Sequence, residues 1–150
     1  MFNLPDPAEL AILIPVFLLA LTIHEYAHAR VSHWLGDPTA RLQGRLTLNP
    51  LAHLDPIGTL AIFLIGFGWA RPVPVDSRYL GNPRRDMMLV ALAGPASNLL
   101  LAAAMAFLFM MAPWRALGAE WYWLSVPVRH MLQLGVGVNV LLAIFNLLPV

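Results

Sequence analysis

Three ionisable side chains fall within five residues at His24-Glu25-Tyr26-Ala27-His28, an H-E-x-x-H pattern. On a helix, residues four apart share one face. Two imidazoles at that spacing can reach a single Zn²⁺ at about 2.0–2.1 Å. Glu25, next to the first of them, is then the candidate base: it can take a proton from a water that the metal polarises and pass it to a leaving amine. Cys is absent, which excludes disulfides and thiolate metal sites and leaves His, Asp, Glu, Asn or backbone oxygen as donors.

The motif sits in an apolar chain. The sequence is 59% hydrophobic and 11% charged, with a mean hydropathy of +0.70. Soluble domains average about 45–50% apolar and about 25% charged, so the composition points to a membrane protein. H-E-x-x-H on an amphipathic surface helix can be accidental. Within a membrane helix each ionisable group costs about 2.5 kcal/mol or more, so three together imply a function. The nine basic residues are all Arg and form no stripe, which argues against a nucleic-acid partner. The N-terminus carries Asp6 and Glu9 without a basic residue, unlike a cleaved signal peptide.

Four apolar segments must position the motif. The first runs from about Leu10 to Leu35. Its purely apolar part, Leu10 to Ile23, is shorter than the roughly 20 residues of a spanning helix. The span therefore includes HEYAH and holds it at membrane depth. The second segment, Ile57 to Ala70, contains Gly58, Gly66 and Gly68 and ends before Pro72 and Pro74. It suits a re-entrant or interfacial element. Met87 to Met111 and about Val126 to Val150 are each long enough to cross. The expected fold is an all-α membrane protein: about three transmembrane helices plus a short re-entrant or interfacial segment, in one domain over residues 1–150.

Arg placement sets an expected orientation. Arg30, Arg41, Arg45, Arg71, Arg78, Arg84 and Arg85 fall between HEYAH and the third segment, whereas only Arg115 and Arg129 follow it. The large connection is then cytoplasmic and the N-terminus outside. Trp114, Trp121, Tyr122 and Trp123 form an aromatic belt at the outer turn.

Four stretches in order carry a family resemblance: HEYAH late in an apolar helix, NPLAHLDPIGTL from Asn49 to Leu60, AGPASN from Ala93 to Asn98, and FNLLPV from Phe145 to Val150. The chain resembles the site-2 protease family of intramembrane zinc metalloproteases, in its compact bacterial branch. AGPASN is similar to the family's G-x-x-x-N element and FNLLPV to the start of its N-x-x-P element. The resemblance implies one Zn²⁺ held by His24 and His28, with Glu25 as the catalytic base. It also implies a bacterial inner-membrane location, the lipid bilayer as surroundings and a transmembrane protein as substrate. In the family, N-x-x-P leads to an Asp-Gly whose Asp is the third zinc ligand. The third ligand is therefore expected beyond Val150, and the domain is expected to be incomplete at its C-terminus.

Other candidates are weaker. Asp55, with His53, is a local substitute for the third ligand, but shaping the entry to the re-entrant segment through loop amides is the favoured role for this pair. His33 lies nine residues after His24, on the opposite side of an ideal helix. His130 falls near the outer end of the fourth segment. Asn98 is read as a substrate contact near the active site or as part of a small-residue packing stripe with Gly94. Asn146 and Pro149 would unwind the fourth helix and expose backbone groups to an extended substrate. The other class of function open to these residues is a catalytically inactive or fragmentary metal-binding membrane protein. A transporter would show repeated halves or paired broken helices, and neither is visible.

Overall fold

A computed structural model describes residues 6–65, 69–114 and 118–148. Three long helices make the frame: α1 (Pro7–Trp34), α4 (Pro83–Met111) and α5 (Tyr122–Leu147). All three are long and apolar enough to cross a membrane. Two short helices, α2 (Thr39–Leu42) and α3 (Pro56–Ile65), lie in the connection between α1 and α4. Among the described residues there is no strand, only an isolated antiparallel bridge between Leu54 and Ala70. The architecture is an all-α membrane protein, as composition and segment lengths require.

Local chemistry sets the helix ends. α1 starts in a capping box: the Glu9 amide donates to Asp6 Oδ1 at 2.8 Å, and the Asp6 amide donates to Glu9 Oε2 at 3.2 Å. Pro7 follows the cap, where a missing N–H costs nothing. α4 starts similarly, with Asn82 as N-cap and Pro83 behind it, and Asp86 Oδ2 accepts from the Asn82 amide at 2.8 Å. α5 begins at Tyr122, four residues earlier than hydropathy indicates, because a 3-10 turn over Ala119–Trp121 leads into it.

The segment expected at Ile57–Ala70 is helical over Pro56–Ile65, and its last part, residues 66–68, lies outside the described residues. Its two ends meet. Besides the Leu54–Ala70 bridge, the Arg71 amide donates to the His53 carbonyl at 3.0 Å. A segment whose ends pair with each other doubles back, which fits a re-entrant or interfacial element.

The core between the helices is built on small residues. A Cβ at Gly135 would stand 3.0 Å from Met105 Cε, so the glycine gives the Met its seat between α4 and α5. Ala20, Ala29, Ala102 and Ala143 are buried as well. Small residues are how helices pack closely in lipid, where no hydrophobic drive separates protein from surroundings. The large apolar side chains point outward: Leu100, Phe107, Met110 and Leu141 are among the exposed ones.

Candidate metal centre

α1 turns His24 and His28 toward α4. Their Nε2 atoms are 3.0 Å apart and the rings stand nearly perpendicular, at 82°. Two nitrogens bound to one tetrahedral zinc would be about 3.3 Å apart, from the usual Zn–N length. His28 Nδ1 lies 2.7 Å from the Val90 carbonyl. A carbonyl only accepts, so Nδ1 carries the proton and Nε2 presents a lone pair. This is the arrangement that a ligating histidine requires.

The space for an ion comes from Gly94 of α4. A Cβ there would sit 2.6 Å from His24 Nε2 and also collide with His28 Nε2. No side chain larger than hydrogen fits beside that pair. Converging Nε2 atoms, a fixed His28 tautomer and an opening kept by glycine together fit a zinc ion.

Glu25 is buried beside His24, with 8% of its surface exposed. Both line a cavity of about 450 Å³ together with Leu54, Thr59 and Trp69 in and beside the second segment and Asn146 of α5. That cavity brings the candidate base, one candidate ligand and one predicted substrate contact to the same space. Asn146 is still helical, its Nδ2 donating to the Leu142 carbonyl at 2.8 Å, and the chain leaves the helix at Leu148 in an extended conformation. The helix thus persists through Asn146 and ends just before Pro149, as a residue preceding proline favours. Pro149 itself lies outside the described residues.

Asn98 is fully buried and does not line the cavity. It stands one turn beyond Gly94, beside the His24 ring. Asp55 has another use. Its Oδ1 accepts from the amides of Ile57 and Gly58 at 2.9 and 2.8 Å, capping α3. His53 is fully buried, its Nε2 2.8 Å from the Thr47 carbonyl. Burial lowers its pKa, with the nearby Arg45 adding to this and the Thr47 carbonyl opposing it. Both residues build the loop. Among the described residues no third His, Cys, Asp or Glu joins the pair. His130 lies elsewhere, with Glu9 and Gln133 on a second cavity between α1 and α5.

Arg45 carries no motif in the sequence, yet it reaches this site. It is 5% exposed and donates to the Arg71 carbonyl, tying the exit of the second segment to the loop. Burial lowers its pKa, the Arg71 charge lowers it further, and the Glu25 carboxylate opposes both. A buried cation beside the candidate base has no sequence signal, since Arg45 lies twenty positions after Glu25, beyond the end of α1 and all of α2.

Similar proteins carry the same region. "Putative zinc metalloprotease YwhC" of Bacillus subtilis (strain 168) is 45% identical over 138 residues, 91% of this chain and 62% of the relative. "Putative zinc metalloprotease Rip2" of Mycolicibacterium smegmatis (strain ATCC 700084 / mc(2)155) is 33% identical over 147 residues, 93% of this chain and 52% of the relative. A protein of the same name from Mycobacterium tuberculosis (strain ATCC 25618 / H37Rv) is 31% identical over 144 residues, 89% of this chain and 50% of the relative. The chain therefore spans between half and about three-fifths of the length of these curated relatives. No family model and no solved structure matches it. With H-E-x-x-H on a helix long and apolar enough to cross a membrane, and 45% identity to YwhC over 91% of this chain, the chain is similar to bacterial proteins named as putative zinc metalloproteases.

Proposed function

We propose that this chain carries the catalytic centre of an intramembrane zinc metalloendopeptidase acting on transmembrane proteins. The observation that carries the reading is the paired Nε2 atoms of His24 and His28, 3.0 Å apart on a membrane-crossing helix, with Glu25 opening into the adjoining cavity. Zinc supplies Lewis acidity and makes a water nucleophilic near neutral pH. His24 and His28 would hold it. Glu25 accepts the proton of the attacking water and returns it to the amine that leaves. Asn146, on the cavity wall, bonds the backbone of the substrate, and Pro149 is assigned to the same contact. The substrate has to unwind locally, because a helix hides its peptide groups in internal hydrogen bonds.

Catalytic zinc normally takes three protein donors and a water. The two imidazoles leave one donor to be supplied by residues outside the described ones. The family resemblance supports a bacterial inner-membrane location, and Arg placement supports an N-terminus outside and a metal centre toward the cytoplasm.

The test is zinc content and cleavage of a transmembrane reporter by the full-length protein in membranes. His24→Ala and His28→Ala are each expected to lose zinc and proteolysis together. Cleavage that survives either substitution contradicts the reading.

A further inference from the structure

We infer that Asn98 is the positioning residue for His24, its carboxamide oxygen taking the Nδ1 proton so that Nε2 is held toward the metal. The inference rests on His24 and His28 being the zinc ligands.

The two imidazoles are unequally secured. His28 Nδ1 is bonded to the Val90 carbonyl at 2.7 Å, whereas His24 Nδ1 is buried without a partner. An imidazole free to exchange tautomers spends part of its time with the proton on Nε2, where it cannot bind a cation. Ligating histidines therefore nearly always donate the other ring N–H to a fixed acceptor.

Two acceptors stand beside the His24 ring, the Gly94 carbonyl and the Asn98 carboxamide, and the Gly94 carbonyl already takes the Ser97 hydroxyl at 2.7 Å. Asn98 is fully buried, and both its Oδ1 and its Nδ2 lack partners. An unsatisfied amide inside a membrane helix is costly, since no water is there to replace the missing bonds. Its carboxamide stands beside the His24 ring. Val90, Gly94 and Asn98 are spaced by four on α4 and so share one face. That face already gives His28 its carbonyl and gives the ion its opening at Gly94. Two orphaned groups lie together, one needing an acceptor and the other offering it. Asn98 is absent from the cavity wall, so it is badly placed to touch a substrate but well placed to act through His24.

Metal affinity of the full-length protein, measured by zinc competition with a chelator, tests this. Asn98→Leu keeps the volume and removes the acceptor; it should weaken zinc binding roughly 10- to 100-fold. Asn98→Asp keeps an acceptor and should stay within a few-fold of the parent. The ¹⁵N shifts of the His24 ring report the tautomer directly: protonated Nδ1 in the parent and in Asn98→Asp, mixed tautomers in Asn98→Leu. Unchanged affinity and tautomer in a folded Asn98→Leu protein would overturn the inference. Should that variant fail to fold, the parent spectrum decides: a His24 Nδ1 without its proton in the zinc form is equally fatal. A parent that binds no zinc through His24 and His28 would instead contradict the metal centre itself, a distinguishable result.

Discussion

Gly94 carries as much of the site as the histidines do, through the atoms it lacks. Gly94→Ala should help the helix, since Ala is better than Gly by about 1 kcal/mol in a helix interior. Its methyl would nevertheless fall 2.6 Å from His24 Nε2, in the space a ligand ion needs. The expected outcome is a protein that melts lower than the parent, because the imidazoles must move, and that retains no zinc; thermal unfolding and metal analysis on one sample check it. Asp37 is a second residue with a definite expectation. It is fully buried and accepts from the Ser32 hydroxyl at 2.8 Å and from the amides of Thr39 and Asp76 at 2.9 Å each. Burial raises its pKa, but these bonds together outweigh it and leave the group below the usual carboxylate value. The stability it contributes is present above the unfolded carboxylate pKa and is lost as pH falls through the lower folded one. Asp37→Ala strands three donors and should cost about 2–4 kcal/mol. It should also flatten the acid limb of the unfolding curve, which a pH series of melts would show.

At the scale of elements, the second segment forms one wall of the cavity, and a glycine holds it closed. A Cβ at Gly58 would meet the Trp69 backbone, 3.0 Å from its nitrogen and closer to its carbonyl oxygen. Gly58→Val should therefore part the ends of the segment and lower cleavage at least tenfold, while zinc, held by α1, stays bound; equal cleavage would show that this wall is dispensable. The three crossing helices were legible from apolar length alone, and HEYAH from its spacing. Length and Arg placement favoured a re-entrant or interfacial second segment. Its closure through Leu54 and Ala70 was not legible, because a single bridge leaves no periodic pattern. Asp55 could be read as either loop-builder or ligand. Only the positions of the Ile57 and Gly58 amides show that its carboxylate caps α3. Asn98 stood in a recognisable element, but whether it faces cavity or core depends on how α1 packs on α4. Arg45 was invisible for the same reason: its neighbours Glu25 and Arg71 are distant in sequence.

The whole molecule is a three-helix frame with its chemistry past the midpoint of α1. His24 lies about 26 Å along α1 from Pro7 at 1.5 Å per residue, in a helix about 42 Å long. Arg30 covers the Trp34 ring at 5.0 Å at the C-terminal end of α1, while exposed Trp121, Tyr122 and Trp123 mark the other. Reporters fused after Arg85 and near Gly118 should read inside and outside respectively; the reverse would put the metal centre on the outer side. The central claim is that zinc and Glu25 act together, and one substitution separates them. Glu25→Gln removes the base and leaves both imidazoles. Zinc per protein and cleavage of a transmembrane reporter should be measured on the same full-length preparation. Zinc is expected at the parent level with cleavage lost; cleavage at the parent rate would show that Glu25 is not the base.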